Sequence, residues 1–417
     1  MKPVNWFKSA ALVAAVGLAG TVTSVQAADT LRFAQCYDLS KSYTFITPQV
    51  SQAGHDLATL INMKGGISGK QIEMITQDHG NEPQRGIECY ERQKRDGVFM
   101  FEFLSTPVVN AAIKRIMKDE NVLLQSFVGR GDAIDGSVFK WSFPVGPSYW
   151  GQAANDIAYI KEQLGGDLKD AKIAFTYLDY PFGQEPIGVL QTLAEKEGFE
   201  LKLFPVALPG NDQASTWTQM RRYQPDYIVS WLLAGGHVVA AREMKRNGIP
   251  LDKYISVNWF NEVDIANLGA AEAKGIKRGT SVVGGQNVPI IQEIISTLYE
   301  NGKGNGPREK VNDVYYNTGL AIYSVAFEAA RIALETSGEF TPASMKAALE
   351  SLKDFDANGL MAPVTVTPED HGGGGKTRIE MWDGTKWVPQ SDWISAYNDV
   401  IWEVVKKYSA EFAAEND

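Results

Sequence analysis

The sequence predicts an α/β protein of two lobes, each a mostly parallel sheet with helices wound on both faces. Three observations predict it. Short apolar runs alternate with amphipathic stretches in a repeated strand–helix order, the pattern of a parallel sheet. The cycle restarts after Trp141-Ser142-Phe143-Pro144. The 417 residues also exceed the length at which one hydrophobic core stops growing.

The start of the chain stands outside this pattern. Lys2 and Lys8 make a short positive n-region, an apolar run over 9–22 follows, and Ser24-Val25-Gln26-Ala27-Ala28-Asp29 comes after it. Small residues at the −1 and −3 positions suit a signal peptidase, so residues 1–27 are read as a cleavable signal peptide. The run is shorter than the roughly 20 residues a spanning helix needs. No cysteine follows it closely, so no lipid anchor is expected. The mature chain is expected outside the cytoplasmic membrane.

In the first cycle, strands are predicted over 31–36, 71–77, 98–104 and 122–127, with helices over 50–63, 83–96 and 108–120. Gly65-Gly66 stops the first helix. In the second cycle, helices are predicted over 150–164, 184–196, 215–223 and 237–247, and strands over 171–178, 200–206, 226–232 and 254–257. A short strand over 280–283 and helices over 290–301, 311–336 and 343–352 follow. Then come a hairpin over 378–387, turning at Asp383-Gly384, and a helical pattern over 393–415. These last elements are too few for a third domain. They complete the two lobes, so the chain crosses between lobes more than once.

The net charge of −10, with no basic stripe, excludes a nucleic-acid backbone as partner. Cys36 and Cys89 are the only cysteines. An oxidising compartment permits them to pair, but sequence alone leaves the pairing open. His55, His79, His237 and His371 are scattered, so neither a metal nor a cofactor is expected.

Catalytic motifs are missing: there is no G-x-S-x-G elbow and no G-x-G-x-x-G after the first strand. Residues 371–377, His-Gly-Gly-Gly-Gly-Lys-Thr, approach a phosphate loop, but Asp370 stands where its first glycine belongs. They are read as a flexible surface turn. Asp78, His79 and Glu82 are read as a strand-end loop that caps the next helix.

In open α/β sheets, ligands sit at the carboxyl edge of the strands, beside helix N-termini. The first sheet brings Cys36-Tyr37-Asp38, Leu104-Ser105-Thr106-Pro107 and Ser126-Phe127-Val128-Gly129-Arg130 to that edge. The second brings Asp179-Tyr180-Pro181-Phe182-Gly183, Trp231-Leu232-Leu233 and Asn258-Trp259-Phe260-Asn261. Aromatic rings, hydroxyls and one arginine dominate these segments. Helix N-termini there favour an anion, and Arg130 offers it a forked contact.

With these residues in view, the chain resembles the type I periplasmic binding proteins of ABC transporters, in their leucine/isoleucine/valine-binding branch. The resemblance runs from about Leu31 to Val366. It is sharpest in Asn62-Met63-Lys64-Gly65-Gly66-Ile67-Ser68-Gly69, at Ser105-Thr106, and in Tyr180-Pro181-Phe182-Gly183-Gln184. It implies two Rossmann-like lobes joined by three crossover segments, near 142–148, 280–289 and 359–366. Lobe 1 then spans 29–145 plus 284–360, and lobe 2 spans 146–283 plus 361–417. It implies a non-catalytic, periplasmic solute receptor that binds in the cleft, closes by hinge bending and serves a membrane permease. A sensor presenting its ligand state to a regulator is the alternative.

Carried over residue by residue, the loops at Ser105-Thr106 and 126–130 are those that hold a carboxylate in the amino-acid binders. Arg130 falls where a Thr is usual, and Phe182 where a Tyr is usual. The acid that pairs with an ammonium near Asn258 or Trp259 is missing until Glu262, which favours a solute with an acid or amide group on an apolar or aromatic body. Glu102, Asp38 and Asp179 stay open as ammonium partners. The candidate ligand-binding set is Tyr43, Phe45, Ser105, Thr106, Ser126, Phe127, Arg130, Phe182, Trp231, Asn258 and Trp259. Ser105, Arg130, Phe182 and Trp231 are expected to line one inter-lobe hollow.

Overall fold

The computed structural model describes residues 30–125, 129–284 and 288–415. The proposed signal peptide, Ser126 and Phe127 lie outside the described residues.

The chain opens with β1 (Leu31–Tyr37), α1 (Thr47–Met63), β2 (Ile72–Asp78), α2 (Pro83–Arg95), β3 (Met100–Glu102), α3 (Thr106–Lys118), β4 (Val122–Leu124) and β5 (Ser142–Phe143). These strands pair in the order β2-β1-β3-β4-β5, all parallel. The central pair β3 and β4 is buried on both faces, as the continuous apolar run of a helix-covered parallel strand requires.

The second unit follows: α4 (Tyr149–Gln163), β6 (Lys172–Leu178), α5 (Pro181–Gln184), α6 (Ile187–Glu197), β7 (Glu200–Val206), α7 (Ala214–Tyr223), β8 (Tyr227–Trp231), α8 (Gly235–Arg246), β9 (Tyr254–Ser256), α9 (Glu262–Leu268) and β10 (Lys277–Thr280). After α10 (Pro289–Thr297), α11 (Val314–Ser337) and α12 (Pro342–Leu349), the hairpin strands β11 (Arg378–Trp382) and β12 (Trp387–Pro389) join this second sheet, and α13 (Asn398–Ala414) closes the chain. The sheet order is β12-β11-β10-β9-β8-β6-β7, parallel except for the hairpin edge.

The late elements do return to both lobes. Helix α11 lies along α1, and α12 packs beside it. At Gly319 an added Cβ would meet the Val50 carbonyl oxygen at 2.7 Å, so only glycine permits that approach. Helix α13 belongs to neither lobe alone: it touches the turn at Asp132–Ile134 in the first and both α4 and α6 in the second. Phe412 packs at 4.4 Å, tilted, against Phe139 of the first lobe, and Tyr408 meets Trp150 of the second at 5.4 Å.

Three connecting segments lie side by side where the lobes join. Val283 donates to the Leu360 carbonyl and Ala362 to that of Ser281, each at 2.9 Å, and Gly146 donates to Gly372 at 2.9 Å. The glycine run over 371–377 is therefore part of this buried junction and not the surface turn that its composition predicts. His371 is fully buried, stacked at 4.1 Å on Phe143, with Nδ1 2.7 Å from the Ser142 carbonyl. Burial holds its imidazole below the usual histidine range. An added Cβ would lie 2.9 Å from the Ile134 side chain at Gly372 and 3.0 Å from that of Val364 at Gly373, so these glycines make room for both side chains.

Cys36 and Cys89 form a disulfide that ties the end of β1 to α2. The Asp78 cluster does not cap α2, whose N-terminus has no side-chain cap. Asp78 instead accepts from the Leu39 and Gly80 amides, both at 2.9 Å, and pins the two loops together. The strand predicted over 280–283 sits earlier, at β10. Its Arg278 is fully buried, bonded to Glu380 at 3.1 Å and stacked over Trp387 at 4.0 Å. Among the described residues no helix is long and apolar enough to cross a membrane.

Candidate functional site

The carboxyl ends of both sheets meet at one hollow. From the first lobe, β3 ends at Glu102, and the chain turns at Leu104, with φ +45°, into Ser105, the N-cap of α3. Ser105 Oγ accepts from the Val108 amide at 3.4 Å and donates to Asn81 Oδ1 at 2.7 Å. This cap fixes Ser105 and Thr106 at the rim of the helix N-terminus. Strand β4 runs out into Gln125, and Gly129 follows. Tyr43, Phe45 and Ile46 close the near wall.

The far wall comes from the second lobe: Tyr149 opening α4, Phe182 opening α5 after β6, Leu233 after β8 and Trp259 after β9. Phe182 meets Tyr149 edge-on at 5.2 Å. Trp259 Nε1 donates to Tyr149 Oη at 3.0 Å, and Tyr315 Oη donates to the Trp259 carbonyl at 2.8 Å. Tyr315 also meets Phe45 at 5.8 Å, so the rings of the two lobes join in one wall. The free volume inside is about 30 Å³, room for roughly two waters. From Phe45 a wider groove of about 950 Å³ leads away between the lobes, past Gln49, His55, Asn261 and Asp264.

The polar floor is unusual. Glu102 is 1% exposed; Oε1 accepts from the Leu104 amide at 3.0 Å, and Oε2 has no hydrogen-bond partner. Burial pushes its carboxyl up to about 7, against the Tyr37 hydroxyl and backbone amides that favour the charged form. Gln125 is also 1% exposed, and neither its Nε2 nor its Oε1 is bonded. Unpaired polar atoms at such depth cost free energy unless something fills the space beside them.

Of the predicted set, Tyr43, Phe45, Ser105, Thr106, Phe182 and Trp259 line this hollow. Trp231 does not: it is fully buried behind the wall, against Phe175 at 5.9 Å and Tyr149 at 6.1 Å. Asn258 is buried outside the lining, with Oδ1 unpartnered. Arg130 is the main correction. Its guanidinium forks onto Asp132, Nε to Oδ1 at 2.9 Å and Nη2 to Oδ2 at 2.5 Å, and sits against the rings of Phe139 and Phe412. It lines a separate groove of about 380 Å³ with Trp150, Glu185 and Tyr408. A carboxylate two residues along captures the fork before any ligand can. Asp38 is likewise occupied by the amides of Lys41 and Tyr43, both at 2.8 Å, and Asp179 by Gln184 at 2.8 Å.

Tyr149, Gln125, Ile46 and Val109 line the hollow without having been foreseen. Gln125 was recoverable from its place at the end of β4. Tyr149 opens a helix, so no strand-end rule points to it.

The family model for periplasmic binding protein matches residues 30–386. Among solved structures, one described as an ABC transporter permease from the Pseudomonas fluorescens group is 32% identical. It covers 93% of this chain and 97% of its own, with a TM-score of 0.85. A branched-chain amino acid ABC transporter from Thermus thermophilus with bound valine is 18% identical, covering 90% and 98%, with a TM-score of 0.78. A solute-binding protein of an ABC transporter from R. palustris, in complex with benzoate, is 15% identical, covering 88% and 98%, with a TM-score of 0.68. No curated protein sequence matches.

Proposed function

Because the chain belongs to the periplasmic binding protein family, we propose that it is the solute-binding component of an ABC importer. In this reading it captures a small molecule between its lobes in the periplasm and delivers it to a membrane permease. The solute carries an acid or amide group on a compact apolar or aromatic body.

One observation carries this reading: a hollow at the meeting of both sheet edges, walled by Tyr43, Phe45, Tyr149, Phe182 and Trp259, with a few polar groups at its floor. An apolar wall with a small number of aimed polar groups is the usual make-up of a small-molecule site. The present free space is small, so seating a solute with a body requires the lobes to part and close again about the junction, a hinge motion biased by contacts made only when closed. The relatives bound to valine and to benzoate span the same range of small carboxylates.

A thermal-shift screen of the purified protein tests the proposal. Valine, leucine, benzoate, short-chain acids and the matching amides are added in turn. A solute that binds only the folded state raises the melting point by mass action. Reversible binding of one molecule per chain is expected. Steady consumption of the bound compound would defeat the reading in favour of an enzyme.

A further inference from the structure

Among the described residues, two side chains put three fully buried, unpaired polar atoms at the floor of the hollow. Glu102 Oε2 is an acceptor, and Gln125 supplies one acceptor and one amide donor, all buried and without hydrogen-bond partners. Exchanging the oxygen and nitrogen of the Gln125 amide leaves the same inventory. Among the described residues no cation lines the hollow, because Arg130 is held by Asp132 elsewhere. The head group that completes this floor therefore offers at least two donors and one acceptor.

A primary carboxamide has this complement: two N–H donors and a carbonyl. A carboxylate offers acceptors alone; it leaves Glu102 Oε2 unpaired and faces it with lone pairs. An ammonium offers donors alone and leaves the Gln125 amide donor unpaired. We infer that Glu102 and Gln125 make this site selective for a primary carboxamide over the carboxylate of the same body. The inference rests on the solute-capture reading above and narrows its choice of head group. Aromatic rings on both sides then enclose the body, and Ser105 and Thr106 sit at the rim.

Matched pairs test it: acetamide and acetate, isobutyramide and isobutyrate, benzamide and benzoate. Each is titrated at pH 8, above the value to which burial pushes Glu102, by calorimetry and thermal shift. The wild type is expected to prefer the amide in the best-bound pair by at least about tenfold, since a site built around hydrogen bonds rejects the analogue that cannot make them. Glu102→Gln replaces one acceptor with a donor at almost constant shape, and the preference is expected to shrink by about tenfold or to reverse. Wild-type binding of the carboxylate as tight as the amide overturns the inference and leaves solute capture standing. Solute binding in which Glu102→Gln, folded by circular dichroism, keeps the full amide preference overturns it as well. A panel with no binder at all overturns the inference together with the acid-or-amide reading beneath it. The wild-type comparison decides the matter even where the variant fails to fold.

Discussion

Arg130 separates two pictures of this molecule with one substitution. As a ligand clamp, Arg130→Ala would abolish solute binding and barely alter stability. As the partner of Asp132, it would do the reverse. Removing one member of a buried pair strands the other, at about 3–5 kcal/mol when both are buried. The Asp132 side chain is 3% exposed, but that of Arg130 is 22% exposed, so solvent screening lowers the figure to about 2 kcal/mol. Loss of the guanidinium from the rings of Phe139 and Phe412, at 5.6 and 5.4 Å, adds about 0.5–1 kcal/mol. The total of about 2.5–3 kcal/mol lowers Tm by about 5–8 °C for a lobe-sized melting unit. Differential scanning calorimetry with and without a solute found in the screen reads both effects. Affinity within about threefold of wild type and a clear fall in Tm are expected, with much of the loss recovered in Arg130→Ala/Asp132→Ala. An unchanged Tm with vanished binding would refute the ion-pair assignment of Arg130.

Other substitutions reach different parts of the fold. The Cys36–Cys89 disulfide closes a loop of 53 residues, which restrains the unfolded chain by about 4 kcal/mol in the chain-entropy model; dithiothreitol should lower Tm, and an unmoved melt with both thiols titrating free would contradict this. Gly131 faces Trp150 across the lobes, where an added Cβ would lie 1.9 Å from the indole. Gly131→Ala should wedge the lobes apart, weaken solute binding about tenfold through the lost closed population and enlarge the radius of gyration in X-ray scattering; unchanged affinity and radius would mean the contact does not control closure. Glu185 accepts from Trp150 Nε1 at 3.2 Å, and burial, helped by Asp132, pushes its carboxyl up to about 7. The folded protein then holds a proton that the unfolded chain has lost between roughly pH 4.5 and 7, so this group's contribution to stability falls as pH rises through that window. Glu185→Gln should therefore gain Tm on wild type from pH 5 to pH 8, and a pH-independent difference between the two would dispose of the idea.

Most of the strand and helix order is legible in the sequence, because periodic apolar runs such as those of β1, β6 and α11 declare themselves locally. An element whose burial depends on a distant partner leaves no such local sign. Strand β10 is Lys-Arg-Gly-Thr and has no apolar pattern; it is buried because Glu380 and Trp387, a hundred residues on, satisfy Arg278. The run 371–377 looks like a surface turn until two lobes close over it. Helix α9, only seven residues long, gives too short a period to be noticed.

The same division holds at the site. The amino-acid sequence by itself determined the α/β class and the rule that strand ends carry the ligand, and four residues picked on that rule, Ser105, Thr106, Phe182 and Trp259, line the hollow. Those consequences follow from local periodicity and from short-range chain geometry. Only the tertiary structure decided that Arg130 goes to Asp132, that Trp231 stands behind the wall, that Tyr149 joins it, and that Glu102 and Gln125 are left unpaired at its floor. Each of these is a competition among polar and aromatic groups brought together from distant segments, and its outcome is set by distances that no stretch of sequence contains.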